Sequence, residues 1–373
     1  MISSNRPTIH HPDPQMQETY NHYIYEKMHG RFNPDPEPGV EKHRFFDRDL
    51  PRIDRLENGR FIIYKADPRA MHIVTQSAWN DERHVENIGP TSGWLKPSIK
   101  NKNKIVLTGD YVAFNTWFHG NYGHTLHDFL PYLAWLIHIF PDKKFIILNI
   151  PLYKNLIKFI DQELYNRVTW IEYDQIVQVQ GELIVTTPDR HPCIMQHNLI
   201  DHFINWVQPL PVSKNIRDVI YYDRGTESEH GRVLHEKCRS EVLQLIKKKM
   251  CEHNVPGELI LFCGTIDGEH VPFDEQFNIF RNAHTIIGPH GTGLANMMWS
   301  DFNKPVKVLE FIPGPHGYSS QVQAPFNDYW HILSGLPIEW HSVIYEREST
   351  HLETYLNIDH VTTALDKIWS SGV

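Results

Sequence analysis

The chain has 373 residues, 40% of them apolar, with 36 Lys and Arg against 45 Asp and Glu for a formal net charge of -9. That length allows one large core or two medium ones and favours two or three domains, with two halves as the working expectation; the acid excess, without a basic stripe, argues against a general nucleic-acid binder. No run of about 18 apolar residues is present to span a bilayer.

The N-terminal stretch MISSNRPTIHHPDPQMQETY lacks the apolar centre of a secretory signal. The four cysteines, Cys193, Cys238, Cys251 and Cys263, include no C-x-x-C pair. Neither a zinc ribbon nor a redox motif is indicated, and a reducing compartment is expected. The 25 histidines are scattered, most without a partner at ligand spacing. Aromatic residues are plentiful and suit either large cores or the flat faces of sugars and bases.

Residues 1–40, punctuated by Pro7, Pro12, Pro14, Pro34, Pro36 and Pro38, read as an irregular arm. Residues 41–210 read as an α/β domain that opens with a β-rich layer. Its strands are expected at 60–64, 71–74, 105–107, 111–114, 145–148, 168–171 and 183–185, with helices over 125–140 and 156–164. Pro209 and Pro211 mark a boundary. Beyond it, 211–350 read as a second α/β domain, with strands at 219–222, 259–262, 285–287 and 306–311 and helices over 236–252 and 274–283. Two such units imply a cleft at strand C-terminal ends, where open sheets bind ligands. A last helix within 351–373 carries Val361, Ala364, Leu365, Ile368 and Trp369 on one face after an Asp359 cap. That face is expected to dock back on the first half.

Three segments carry chemistry. In Gly120-Asn121-Tyr122-Gly123-His124-Thr125-Leu126-His127-Asp128, His124 and Asp128 stand four apart and share a helix face. A carboxylate there could deprotonate a hydroxyl, with the imidazole orienting it. The same residues also suit a plain helix start, or, with His127, part of a divalent-metal site. In Ile287-Gly288-Pro289-His290-Gly291-Thr292-Gly293-Leu294, a buried strand enters a glycine-rich turn and then an apolar helix. The turn suits a diphosphate held on helix N–H groups beside His290, or simply a tight turn. It matches neither a P-loop nor a dinucleotide fingerprint. In Tyr221-Tyr222-Asp223-Arg224-Gly225, with Arg232 further on, two guanidinium groups leave a strand end and could clamp a pyrophosphate. Surface salt bridges are the plainer use of such arginines.

In combination and order these segments resemble glycosyltransferase family 61 over roughly residues 105–345. That family includes extracellular-type O-GlcNAc transferases, plant xylan-decorating xylosyl- and arabinosyltransferases and bacterial capsule or lipopolysaccharide enzymes. Its N-x-x-H-x-x-x-D element stands here as Asn121, His124 and Asp128. Its spaced arginines match Arg224 and Arg232, while His235 occupies the position where the family has Asn. Its G-x-H-G-A-G-L-T-N/H turn appears as Gly288-Pro289-His290-Gly291-Thr292-Gly293-Leu294-Ala295-Asn296, and its strand ending in an acidic residue as Val308-Leu309-Glu310.

The resemblance implies a GT-B-like fold, two Rossmann-like domains facing a cleft, here with an N-terminal β-rich extension. It implies an inverting transfer of xylose or N-acetylglucosamine from a UDP-sugar to a glycan hydroxyl, without an obligatory metal or other cofactor. Asp128, or else His124, would be the base. Arg224, Arg232, His290, Gly291, Thr292, Gly293, Leu294, Glu310 and Asn121 would hold the donor, with Glu310 on its ribose. A cytoplasmic enzyme of bacterial or viral type is expected, with nucleotide-sugar and glycan as partners and at most peripheral membrane contact. A non-catalytic nucleotide or carbohydrate binder and a phosphohydrolase using His124, His127 and Asp128 stay open as alternatives.

Overall fold

The computed structural model describes residues 8–10, 14, 52–65, 74–82, 84–85, 103–116, 120–187, 197–213, 215–224, 233–266, 269–313, 336–345 and 355–370. The chain divides into two compact units, 49–209 and 1–48 with 210–373.

The strands in chain order are β1 (Thr8–His10), β2 (Arg52–Glu57), β3 (Arg60–Lys65), β4 (Val74–Trp79), β5 (His84–Val85), β6 (Lys104–Thr108), β7 (Tyr111–Ala113), β8 (Lys144–Leu148), β9 (Val168–Ile171), β10 (Ile176–Gln180), β11 (Glu182–Thr187), β12 (Asp218–Tyr222), β13 (Leu259–Phe262), β14 (Thr265–Ile266), β15 (Glu269–His270), β16 (Ala283–Pro289), β17 (Val306–Pro313) and β18 (Ile338–Tyr345). The helices are α1 (Tyr122–His124), α2 (Leu130–Ile139), α3 (Pro151–Ile160), α4 (Gln162–Arg167), α5 (His197–Val207), α6 (Glu236–Glu252), α7 (Phe273–Arg281) and α8 (Ile358–Ser370). A π turn, Thr125–Phe129, joins α1 to α2, and a 3-10 helix, Thr292–Trp299, follows β16.

In the unit 49–209, two five-stranded sheets run in the orders β5-β4-β3-β10-β6 and β2-β11-β7-β8-β9. Phe61 and Ile63, Val177 and Val179, Ala113, Ile146 and Leu148, and Leu183 and Val185 belong to one buried cluster. Their spacing of two puts them on one face of each strand, so the two sheets share this core. Expected strands match β3, β6, β7, β8, β9 and β11; residues 71–73 lie outside the described ones. The expected helix over 156–164 is two helices, because Asp161 leaves the helical conformation and its carboxylate caps α4 on the Leu164 N–H at 2.8 Å. The helix expected over 125–140 keeps its position but opens as a π turn.

The other unit holds a six-stranded, all-parallel sheet, β1-β18-β17-β16-β12-β13. Every residue of β12 and β16 is buried, as a parallel strand covered on both faces requires. On one face α6 presents Cys238, Val242, Ile246 and Met250 at a spacing of four, a narrow apolar row. That row cannot cover the whole sheet. Helix α8 completes the cover with Val361, Ala364, Leu365, Ile368 and Trp369, which share the cluster with Leu309, Phe311, Val343 and Tyr345.

The last helix, for which docking on the first half was expected, packs on the sheet of its own unit and against α6. Lys307 donates to the Ile368 carbonyl at 2.6 Å and Trp369 to Thr285 Oγ1 at 3.2 Å, fixing its end. Its cap is Asn357, whose side chain accepts from the N–H groups of Asp359 and His360, and not Asp359. The N-terminal arm is also not irregular throughout: β1 pairs with β18, Thr8 opposite His341 and His10 opposite Val343.

Candidate active site

The first centre lies in 121–131. Asn121 has an extended backbone and its side-chain oxygen accepts from the His124 N–H at 3.3 Å, so it caps the helix that carries His124. Pro131 then lacks the N–H that a regular helix needs, and its ring crowds the carbonyl four residues back. The chain responds by widening: the Leu130 N–H donates to the Thr125 carbonyl, five residues back. Phe129 anchors the turn, stacked at 3.9 Å between ring centres on Tyr153 and at 5.2 Å on Phe114.

Out of this turn His124 and His127 both aim Nδ1 at Asp128, at 2.7 Å to Oδ2 and 2.7 Å to Oδ1. The side chains of His124, His127 and Asp128 are 20%, 4% and 11% exposed, so the trio is sheltered with His124 outermost. Burial alone would raise the Asp128 carboxyl pKa. The two imidazoles outweigh it through charge and hydrogen bonds, and the carboxyl is held below its usual range. An ionised carboxylate only accepts, so each Nδ1 donates to it, which in a neutral imidazole puts the lone pair on Nε2. The ligand atoms of the trio lie within 4.8 Å of one another, which also suits three-point metal ligation.

The second centre gathers at the C-terminal ends of β12, β16 and β17. Arg224 donates from Nη1 to the His290 carbonyl at 2.8 Å. A Cβ on Gly291 would stand 1.8 Å from that same Nη1, one on Gly293 2.2 Å from Tyr222 Cε2, and one on Gly288 2.5 Å from the Tyr222 carbonyl. The three glycines therefore admit Tyr222 and Arg224 of the chain itself, where the sequence suggested close approach of a ligand. The His290 N–H is committed to the Phe311 carbonyl at 2.9 Å and that of Leu294 to Gly291 at 2.9 Å. Thr292, exposed, and Gly293 open the 3-10 helix and offer N–H groups that a helix start does not use internally.

Glu310 is fully buried, and its Oε1 accepts from His290 Nδ1 at 2.6 Å. This bond orients the imidazole. At the far end of the 3-10 helix the buried Arg281 donates to the Ser300 carbonyl at 3.0 Å and to Leu210 at 2.9 Å, satisfying carbonyls a helix end leaves open.

His235 caps α6: its Nδ1 accepts from the Lys237 N–H at 3.2 Å, and its ring stacks on Tyr355 at 4.6 Å. An Asn does the same job with its side-chain oxygen, which explains the exchange at this position. Arg232 lies outside the described residues. Arg239, which the sequence reading passed over, pairs with Asp223 at 2.5 Å beside Arg224; its one signal was a cation in the first turn of a helix following the Asp223-Arg224 strand end. A cavity of about 540 Å³ lined by Asn215, Ile216, Asp218, Gly257 and Glu258 lies where β12 begins, at the opposite end of the sheet from this centre.

Among the described residues no helix is long and apolar enough to cross a membrane. Residues 122–307, which contain both centres except for Asn121 and Glu310, match the family model described as Glycosyltransferase 61. No curated protein matches the chain. Among solved structures it is similar to the bacterial iron-containing dodecameric glycosyltransferase TibC from enterotoxigenic E. coli H10407, with 11% identity, 68% of this chain and 73% of that one covered, and a TM-score of 0.31. It is also similar to the E. coli heptosyltransferase WaaC with ADP, with 8% identity, 69% and 97% covered, and a TM-score of 0.32.

Proposed function

Since the chain belongs to glycosyltransferase family 61 and is a glycosyltransferase, we propose that it moves xylose or N-acetylglucosamine from a UDP-sugar to a glycan hydroxyl in one displacement with inversion. The observation that carries this reading is the Asp128 carboxylate shared by the two imidazoles. Both of its oxygens already accept hydrogen bonds and its carboxyl is held low, so it is a weak base. His124, the outermost of the three, takes the acceptor's proton at Nε2, and Asp128 steadies the imidazolium that forms. This reverses the order of preference drawn from the sequence.

Charge on the departing diphosphate is met by Arg224, by the N–H groups of Thr292 and Gly293, and by His290 held in place by Glu310. Helix dipoles and guanidinium groups serve here as a bound cation does elsewhere, so the reading includes no metal.

The test is to incubate the protein with UDP-xylose or UDP-N-acetylglucosamine and glycan acceptors, and to follow UDP and glycoside by mass spectrometry. Transfer, with slow UDP release when acceptor is omitted, is expected. Binding of these donors without any UDP release would favour a non-catalytic binder. The compact His124, His127 and Asp128 set supports a metal-dependent phosphohydrolase as second reading; phosphatase activity abolished by EDTA would favour it.

A further inference from the structure

Strand β1 is held to the outer edge of β18 by three residues, and its last, His10, sits against a crowd of basic groups. From β18 comes His341, from α8 come His360 and Lys367, and all three act electrostatically on His10. Lys307 of β17 stands behind, within 4.0 Å of Glu339. The carboxylate in this neighbourhood, Glu339, is engaged with His341 Nε2 at 2.8 Å. His10 Nε2, His341 Nδ1 and His360 Nδ1 are buried atoms with no hydrogen-bond partner. Among the described residues, a proton added at His10 therefore meets three basic neighbours and a carboxylate already engaged by His341.

We propose that β1 is an acid-released strap, docked on β18 only while His10 is uncharged. Burial first, then His341, His360 and Lys367, lower the His10 pKa from 6.5 to about 4. The sign follows from linkage: a histidine whose docked pKa lies below its free value contributes docking in full above about pH 6.5. That contribution is lost as the pH falls toward 4. Allowing for the partial exposure of His10, the docking equilibrium falls about tenfold between pH 7 and pH 5. Release would unpair the outer edge of β18 at His341–Val343 and take His10 away from α8.

The experiment is hydrogen exchange of the full chain, read by mass spectrometry over residues 8–10 and 341–343 and corrected for intrinsic exchange rates. Protection of both segments is expected to fall about tenfold from pH 7 to pH 5 in the wild type and to stay level in His10→Gln. Lys367→Met, at an exposed position, should shrink the fall by letting His10 take its proton while docked. It serves as the deciding variant if His10→Gln does not dock at pH 7. Protection independent of pH in the wild type, an equal fall in His10→Gln, or an unchanged fall in Lys367→Met would each overturn the proposal.

Discussion

Gly291→Ala isolates one contact of the donor centre. Gly291 has an extended backbone, φ 163° and ψ 169°, which any residue adopts, so alanine adds no backbone strain. What it adds is a methyl group 1.8 Å from Arg224 Nη1. Carbon–nitrogen contact needs about 3.5 Å, so the guanidinium must retreat by more than about 1.5 Å. The 2.8 Å bond to the His290 carbonyl does not survive that shift.

A hydrogen bond to a charged group contributes about 1.5–3 kcal/mol, and misplacing a positioning group by about 1 Å costs on the order of 100-fold in rate. We predict kcat/KM lower by about 100-fold with the fold intact by circular dichroism. The assay is a double-mutant cycle with Arg224→Ala, comparing kcat/KM for sugar transfer. In the Arg224→Ala background the added methyl meets no guanidinium and should cost less than about threefold. Equal losses in both backgrounds would refute the argument that Gly291 exists to admit Arg224.

Four further outcomes follow from the geometry. Asp128→Asn keeps one acceptor oxygen and sets an amide NH₂ against the other imidazole, so one of the two tautomers is no longer fixed, and kcat should fall by about 10²–10⁴ in steady-state kinetics. Because the folded carboxyl is held low, its contribution to stability is present above the unfolded value near 3.8 and lost as the pH falls through the lower folded one. Acid melting curves of Asp128→Asn should accordingly be flatter than wild type below pH 4. His235→Ala should lower stability by about 0.5–2 kcal/mol in urea titrations through loss of the α6 cap, whereas His235→Asn should match or exceed wild type. Transfer measured after EDTA dialysis should equal that before it; activity restored only by a divalent ion would contradict the proposed role of Arg224 and the helix start.

Much of the fold was legible where one physical signal dominated. The apolar run Phe145–Leu148 and the β-branched run Thr285–Ile287 read as buried strands, and both are. The row at 238, 242, 246 and 250 could only be a helix face. Among the elements that hid, β10 and β1 did so for opposite reasons. In β10 the sequence IVQVQ mixes apolar and polar residues too briefly to stand out, and β1 is three ordinary residues whose pairing partner lies more than 300 positions away.

The candidate residues were visible as types, and less so as roles. Asn121 as a helix cap is a local matter that spacing foreshadowed. That Glu310 would reach His290, twenty residues earlier, or that the glycines would make room for Tyr222 and Arg224, depends on the parallel register of β12, β16 and β17. No local pattern encodes that register.

The most direct test of the donor centre is thermal denaturation with UDP, read for wild type and Arg224→Ala. A ligand that binds only the folded chain raises the melting temperature by mass action. The account predicts a rise with UDP in the wild type that is largely lost in Arg224→Ala. The same rise in both proteins would place the nucleotide elsewhere and contradict it.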